Sequence, residues 1–244
     1  MIDQSQPADP RHALIPGTHV FWGYDDLVLF GGALLPSIVM GALAGWLAKL
    51  AFGIDKSVQG FVLQFVAYAG WFAALYLIFR LRYGKPFWES LGWRPSLPRL
   101  VTGFVSGIVV AVGLIFISAF LEKPPGESPM QELLSREVTL ILVGVFSTTL
   151  GPLCEELAFR GFLMPLFAST FGIAGGVVLA AVPFALAHAP QYSNSWRHVA
   201  LIGLAGVAFG WQRFKTGSTA AATAMHAAYN LVIFAGLMYE KYRW

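Results

Sequence analysis

The sequence predicts an all-α protein, a polytopic transmembrane bundle of about seven (six to eight) helices. Three observations carry that prediction. Only 12% of the 244 residues are charged while 57% are hydrophobic, about half the charged share that coats a soluble domain. The apolar residues form continuous runs of about 20, the length that crosses a bilayer as a helix. Those runs lack the alternating apolar and polar dyads of a membrane β-barrel.

In chain order, residues 1–26 are polar and show no basic stretch ahead of an apolar core, which argues against a cleavable signal peptide. Apolar runs follow at 27–50, 61–80 and 100–121, and then at 138–168, 173–190, 198–213 and 217–239. The pairs Gly41/Gly45 and Gly103/Gly107 have the small-xxx-small spacing that lets helices approach closely. The connection at 80–99 mixes Arg and Lys with Phe87, Trp88 and Trp93, as expected of a segment at headgroup level. A second polar connection spans 122–137. The chain thus divides into a polar segment (1–26), three membrane helices (27–137) and a membrane core (138–240). The net charge of +3 suits loops facing anionic lipid, and no basic cluster is dense enough for a nucleic-acid partner. The single cysteine, Cys154, excludes an intrachain disulfide and a cysteine-rich metal cage.

Ionisable residues inside apolar runs cost about 2.5–3.5 kcal/mol each near mid-bilayer, so each needs a partner or a purpose. The core contains Glu155, Glu156, Arg160, His188, His226 and Asn230. Glu156 and Arg160 stand four apart with the acid first, the favourable order for a helical ion pair. Glu155 points about 100° away from that pair and stays available. Phe184 and His188 share one helix face, as do His226 and Asn230. Each group also has a purely structural reading: a buried salt bridge, an interfacial histidine beside Pro190, and an interhelical amide bond. Their co-occurrence in one apolar stretch favours a functional site. Cys154 reads as a packing residue, while His12, His19, Arg197, His198, Glu240, Lys241 and Arg243 fall in ends and loops.

Two carboxylates and two histidines in a dry cavity suit hydrolysis by an activated water. Glu155 is the candidate general base, His188 holds the water or helps bind a metal, and Asn230 with His226 faces the oxyanion. Other protease signatures are missing. There is no HExxH and no GxSxG, and all five aspartates lie in the first quarter of the chain, which leaves nothing for an aspartyl dyad.

EELAFR (155–160) fits the motif EExxxR, FALAH (184–188) fits FxxxH, and HAAYN (226–230) fits HxxxN. In that order and spacing they resemble the CAAX-processing and bacteriocin-processing family of intramembrane proteases, which includes the type II CAAX prenyl endopeptidases. The resemblance covers about residues 140–235, and GWQRFKTGS (210–218) is similar to the family's connection into its last motif. It implies that Glu155 activates water, that Glu156 with Arg160 orders the site, and that His188, His226 and Asn230 belong to the catalytic cavity. Glu155, His188 and His226 would also furnish three zinc ligands with an open position, but Glu155 would then not be free as a base. A metal-independent mechanism is slightly favoured over zinc. The expected partners are membrane lipid and a peptide or lipidated protein substrate, in the inner or plasma membrane if the source is bacterial. Two other classes stay open: an ion-coupled transporter using the same residues as a relay, and a non-catalytic immunity or scaffold protein on the same fold.

The site assembles only if Glu155 lies at intermediate depth. The fourth helix is therefore expected to run from 138 to 168 with a bend near Gly151 and Pro152.

Overall fold

A computed structural model describes residues 20–121 and 137–243. The expectations for the polar N-terminal residues with His12 and His19, and for the connection at 122–136, lie outside the described residues.

Helix α1 (Tyr24–Phe52) begins with Asp25 and Asp26 in its first turn, where carboxylates meet the positive end of the helix dipole. It stops at Gly53, whose φ of 66° reaches the left-handed region that glycine adopts freely. The Asp55 side chain then accepts from the Val58 N–H and starts α2 (Lys56–Leu77). The two helices pack closely because Gly41 faces the Leu63 backbone and Gly45 the Gln59 carbonyl, leaving no room for a Cβ. Helix α2 ends in a π-helical turn (Ile78–Arg82). There Arg82 pairs with Asp25 and Asp26, and the Tyr83 hydroxyl donates to Asp26 at 2.6 Å, tying the end of α2 to the start of α1.

The segment expected at headgroup level is folded partly into the bundle. Its short helix α3 (Phe87–Ser90) buries Phe87, and Leu91 behind it is also buried, while Trp88 stays exposed. Helix α4 (Leu97–Ser118) lays Gly103 and Gly107 against the backbone of the last helix at Ala221 and Met225.

The continuous helical stretch Glu137–Ala187 is the frame of the site. Helix α5 (Glu137–Thr148) stops at Thr149, whose backbone leaves helical values, and α6 (Leu150–Glu156) follows. The break comes just ahead of the expected Gly151–Pro152 bend, because Pro152 has no N–H to give the Thr148 carbonyl four residues back. A π-helical segment (Leu157–Leu163) continues into α7 (Met164–Ala187). At Gly172, φ is 73° and ψ 175°, and the chain turns back. Gly176 then packs on Met164 and Ala168, which a straight helix would hold far apart. A 3₁₀ turn (Ala189–Tyr192) leads to α8 (Trp196–Thr216). Gly217 ends α8 with a φ of 63°, and Ser218 caps α9 (Thr219–Tyr242) through the Ala221 N–H.

Among the described residues, five helical stretches are long and apolar enough to cross a membrane, with Glu137–Ala187 counted as one. Divided at Gly172 and joined by α8, they give seven helical segments where the apolar runs lie. Large apolar side chains face outward along them, among them Leu35, Met40, Val109 and Phe116. That is the surface of a protein whose solvent is lipid. The chain is an integral membrane protein with a polytopic all-helical fold.

Candidate active site

Each of the six predicted residues is placed by a local feature of the Glu137–Ala187 stretch or of α9. Glu155 and Glu156 end α6, and the π-helical segment carries Arg160 on from there. Arg160 donates from Nη1 to Glu156 Oε1 at 2.7 Å and from Nη2 to the Gly206 carbonyl at 2.8 Å. Its guanidinium lies over the Phe184 ring at 4.4 Å and near Phe209 at 5.3 Å. Gly206 makes this fit, since a Cβ there would sit 3.2 Å from Arg160 Nη2.

The FALAH spacing has a direct result. His188 follows Phe184 by one turn at the end of α7, and its Nδ1 donates to the Phe184 carbonyl at 2.8 Å. A carbonyl only accepts, so Nδ1 carries a proton, and Nε2 turns towards Glu155. From α9, His226 places Nδ1 3.0 Å from Glu156 Oε1 and stacks its ring on Phe209 with centroids 4.5 Å apart. The Nε2 atoms of both histidines stand 3.8 Å from the same Glu155 oxygen, Oε2. The other oxygen, Oε1, accepts a hydrogen bond from the Tyr68 hydroxyl of α2. Asn230, one turn after His226, donates from Nδ2 to the Ser147 carbonyl at 2.7 Å, which leaves its second N–H free for another acceptor.

A cavity of about 220 Å³ opens at this point, and Glu155, His188, His226 and Asn230 all line it. Glu156 and Arg160 do not. They stand fully buried behind the wall, where Glu156 holds His226 and Arg160 holds Glu156. The six predicted residues therefore assemble, but as two layers. Phe61 and Gln64 of α2 and Phe146 of α5 add to the cavity wall, and Gln191 and Tyr192 contribute from the 3₁₀ turn. Burial pushes the Tyr192 phenol above its ordinary value, so it stays a neutral wall. Cys154 is half-buried and has no disulfide partner, as a packing residue should.

Residues 137–232 match the family model described as type II CAAX prenyl endopeptidase Rce1-like. Over these residues the chain is similar to that family. No curated protein and no solved structure matches the chain. The Rce1-like domain contains all six motif residues, and the family is one of CAAX-type intramembrane proteases. Tyr68, Phe61 and Gln64 come from outside it, and sequence reasoning missed them. The available signal was slight: Gln64 and Tyr68 are polar groups four apart in an otherwise apolar run, hence on one helix face.

Among the described residues, no group of three His, Cys, Asp or Glu side chains is arranged to hold a metal ion. Glu155 Oε2 and the two Nε2 atoms come nearest.

Proposed function

We propose that this protein is an intramembrane endopeptidase that hydrolyses a peptide bond of a membrane-associated peptide or protein with a water activated by Glu155. The observation that carries the reading is the convergence of the His188 and His226 Nε2 atoms on Glu155 Oε2, each at 3.8 Å, in the wall of a cavity among apolar helices. Glu155 Oε2 and His188 Nε2 both accept, so together they orient the two protons of one water. The water oxygen attacks the carbonyl carbon as Glu155 takes its proton. The resulting oxyanion receives the free Nδ2–H of Asn230 and the Nε2–H of His226 as an imidazolium, whose Nδ1–H stays on Glu156. The C–N bond then breaks and Glu155 passes its proton to the leaving amine. Glu156 and Arg160 act through His226 and are positioning residues.

The cavity's apolar wall, from Phe61, Val143, Phe146 and Phe234, suits a substrate that arrives with an apolar or lipidated segment. The test uses the full chain in liposomes with two quenched-fluorescent CAAX peptides, one farnesylated and one unmodified. Wild-type protein should cleave at least one, and Glu155→Gln should lower kcat by about a thousandfold or more while the protein stays folded. Wild-type rates in Glu155→Gln, or no cleavage of either peptide by the wild type, overturn the reading.

A further inference from the structure

A carboxylate at the end of a glutamate side chain turns easily, because the last torsion has a broad profile and the two oxygens are equivalent. Here they are not equivalent. Oε1 accepts from the Tyr68 hydroxyl, and Oε2 alone faces the two imidazoles. Tyr68 is itself fixed: its ring stacks on Phe146 with centroids 5.6 Å apart and packs on Trp71 at 5.2 Å. Its oxygen accepts from Gln64 Nε2 at 3.4 Å, so Gln64, Tyr68 and Glu155 form a chain of donors pointing one way into the site. Linked hydrogen bonds of this kind polarise and strengthen one another.

From this geometry we infer that Tyr68 is a positioning residue for the reaction, supplied by α2 from outside the Rce1-like domain, that fixes which oxygen of Glu155 meets the water. The inference rests on the reading of Glu155 as the base. The other charged or titratable groups around Glu155 are His188 and His226 across the cavity, and Cys154, Glu156 and Arg160 along its own stretch. Arg160 is engaged by Glu156. Tyr68 is thus a neutral donor in direct contact with the base, on the oxygen that does not face the imidazoles.

Tyr68→Phe removes the hydroxyl and keeps the ring that packs on Phe146 and Trp71. Two measurements on the full chain in liposomes read the result. The first is the infrared splitting between the antisymmetric and symmetric stretches of the Glu155 carboxylate, assigned by subtracting the Glu155→Gln spectrum, which needs no substrate. That splitting should change in Tyr68→Phe, because the oxygen that accepts from Tyr68 loses its donor. The second is cleavage of the two CAAX peptides. There kcat should fall about 10–100-fold with KM within about twofold. A wild-type splitting in Tyr68→Phe overturns the inference, as does a change in KM alone, which would make Tyr68 a wall residue. The proposed function fails separately, if Glu155→Gln still cleaves. In that case the infrared splitting still reports whether Tyr68 holds the carboxylate.

Discussion

Two arginines are fully buried in the bundle, and they are handled in opposite ways. Arg160, in the π-helical segment behind the cavity, is saturated: it has a carboxylate, a backbone carbonyl and two aromatic faces. Arg213, in the last turn of α8, is just as deeply buried, yet none of its three guanidinium nitrogens has a hydrogen-bond partner among the described residues. It is packed under Gly92, in the space a side chain at that position would fill, with Arg94 as its charged neighbour. What holds that end of the bundle is a set of neutral bonds. Ser218 donates to the Arg94 carbonyl at 2.8 Å, Thr219 Oγ1 donates to the Leu91 carbonyl at 2.5 Å, and the Thr219 N–H donates to the Gly92 carbonyl at 2.9 Å. A buried charge with a complete partner set is therefore a fixture of the site. A buried charge without one is a burden that its surroundings tolerate.

Substitutions can break or sharpen this contrast. The largest effect is expected for Arg160→Leu, which leaves Glu156 buried without its cation. It should lower stability by about 3–5 kcal/mol, read by thermal unfolding in detergent, and an unchanged Tm would refute the first half of the comparison. Gly92→Ala comes next, because a Cβ there meets the Arg213 guanidinium and the φ of 70° suits glycine. The expected loss is about 1–3 kcal/mol, and part of it should disappear in the double variant Gly92→Ala/Arg213→Ala, with a coupling of about 1 kcal/mol. If the two losses simply add, Arg213 is not what Gly92 accommodates. Ser218→Ala removes a helix cap and the bond to Arg94, and should cost about 1 kcal/mol in the same unfolding assay. The smallest change belongs to Arg213→Met. Exchanging an unpartnered cation for an apolar chain of similar length should leave stability within about 1 kcal/mol of the wild type or raise it. A loss as large as that of Arg160→Leu would erase the distinction between the two regions.

The comparison also separates what could be read along the chain from what could not. Arg160 was legible because its partner is one helical turn away, and the EExxxR spacing states the pair. Arg213 sits in an ordinary-looking GWQRFKTGS stretch. It packs under Gly92, more than a hundred residues earlier, and no local pattern announces its burial. The glycine pairs behaved like Arg160: Gly41/Gly45 and Gly103/Gly107 mark close helix contacts, as their spacing suggests. The layering of the site behaved like Arg213. Adjacent letters put Glu155 and Glu156 about 100° apart, but only the packing of α9 shows that Glu156 faces His226 from behind the wall while Glu155 faces the cavity.

By itself, the sequence determined the class of solvent, the all-helical fold, the approximate places of the helical segments and the identity of the motif residues. Each of these follows from composition or from spacings within one or two turns, where helix geometry leaves little choice. The tertiary structure decided which oxygen of Glu155 meets the histidines, that Tyr68 of α2 holds the other, and that Arg213 is buried under Gly92 with no hydrogen-bond partner among the described residues. Those contacts join residues tens to more than a hundred positions apart. They are set by how helices dock through glycine-lined faces and by the reversal at Gly172, which no one-dimensional pattern encodes.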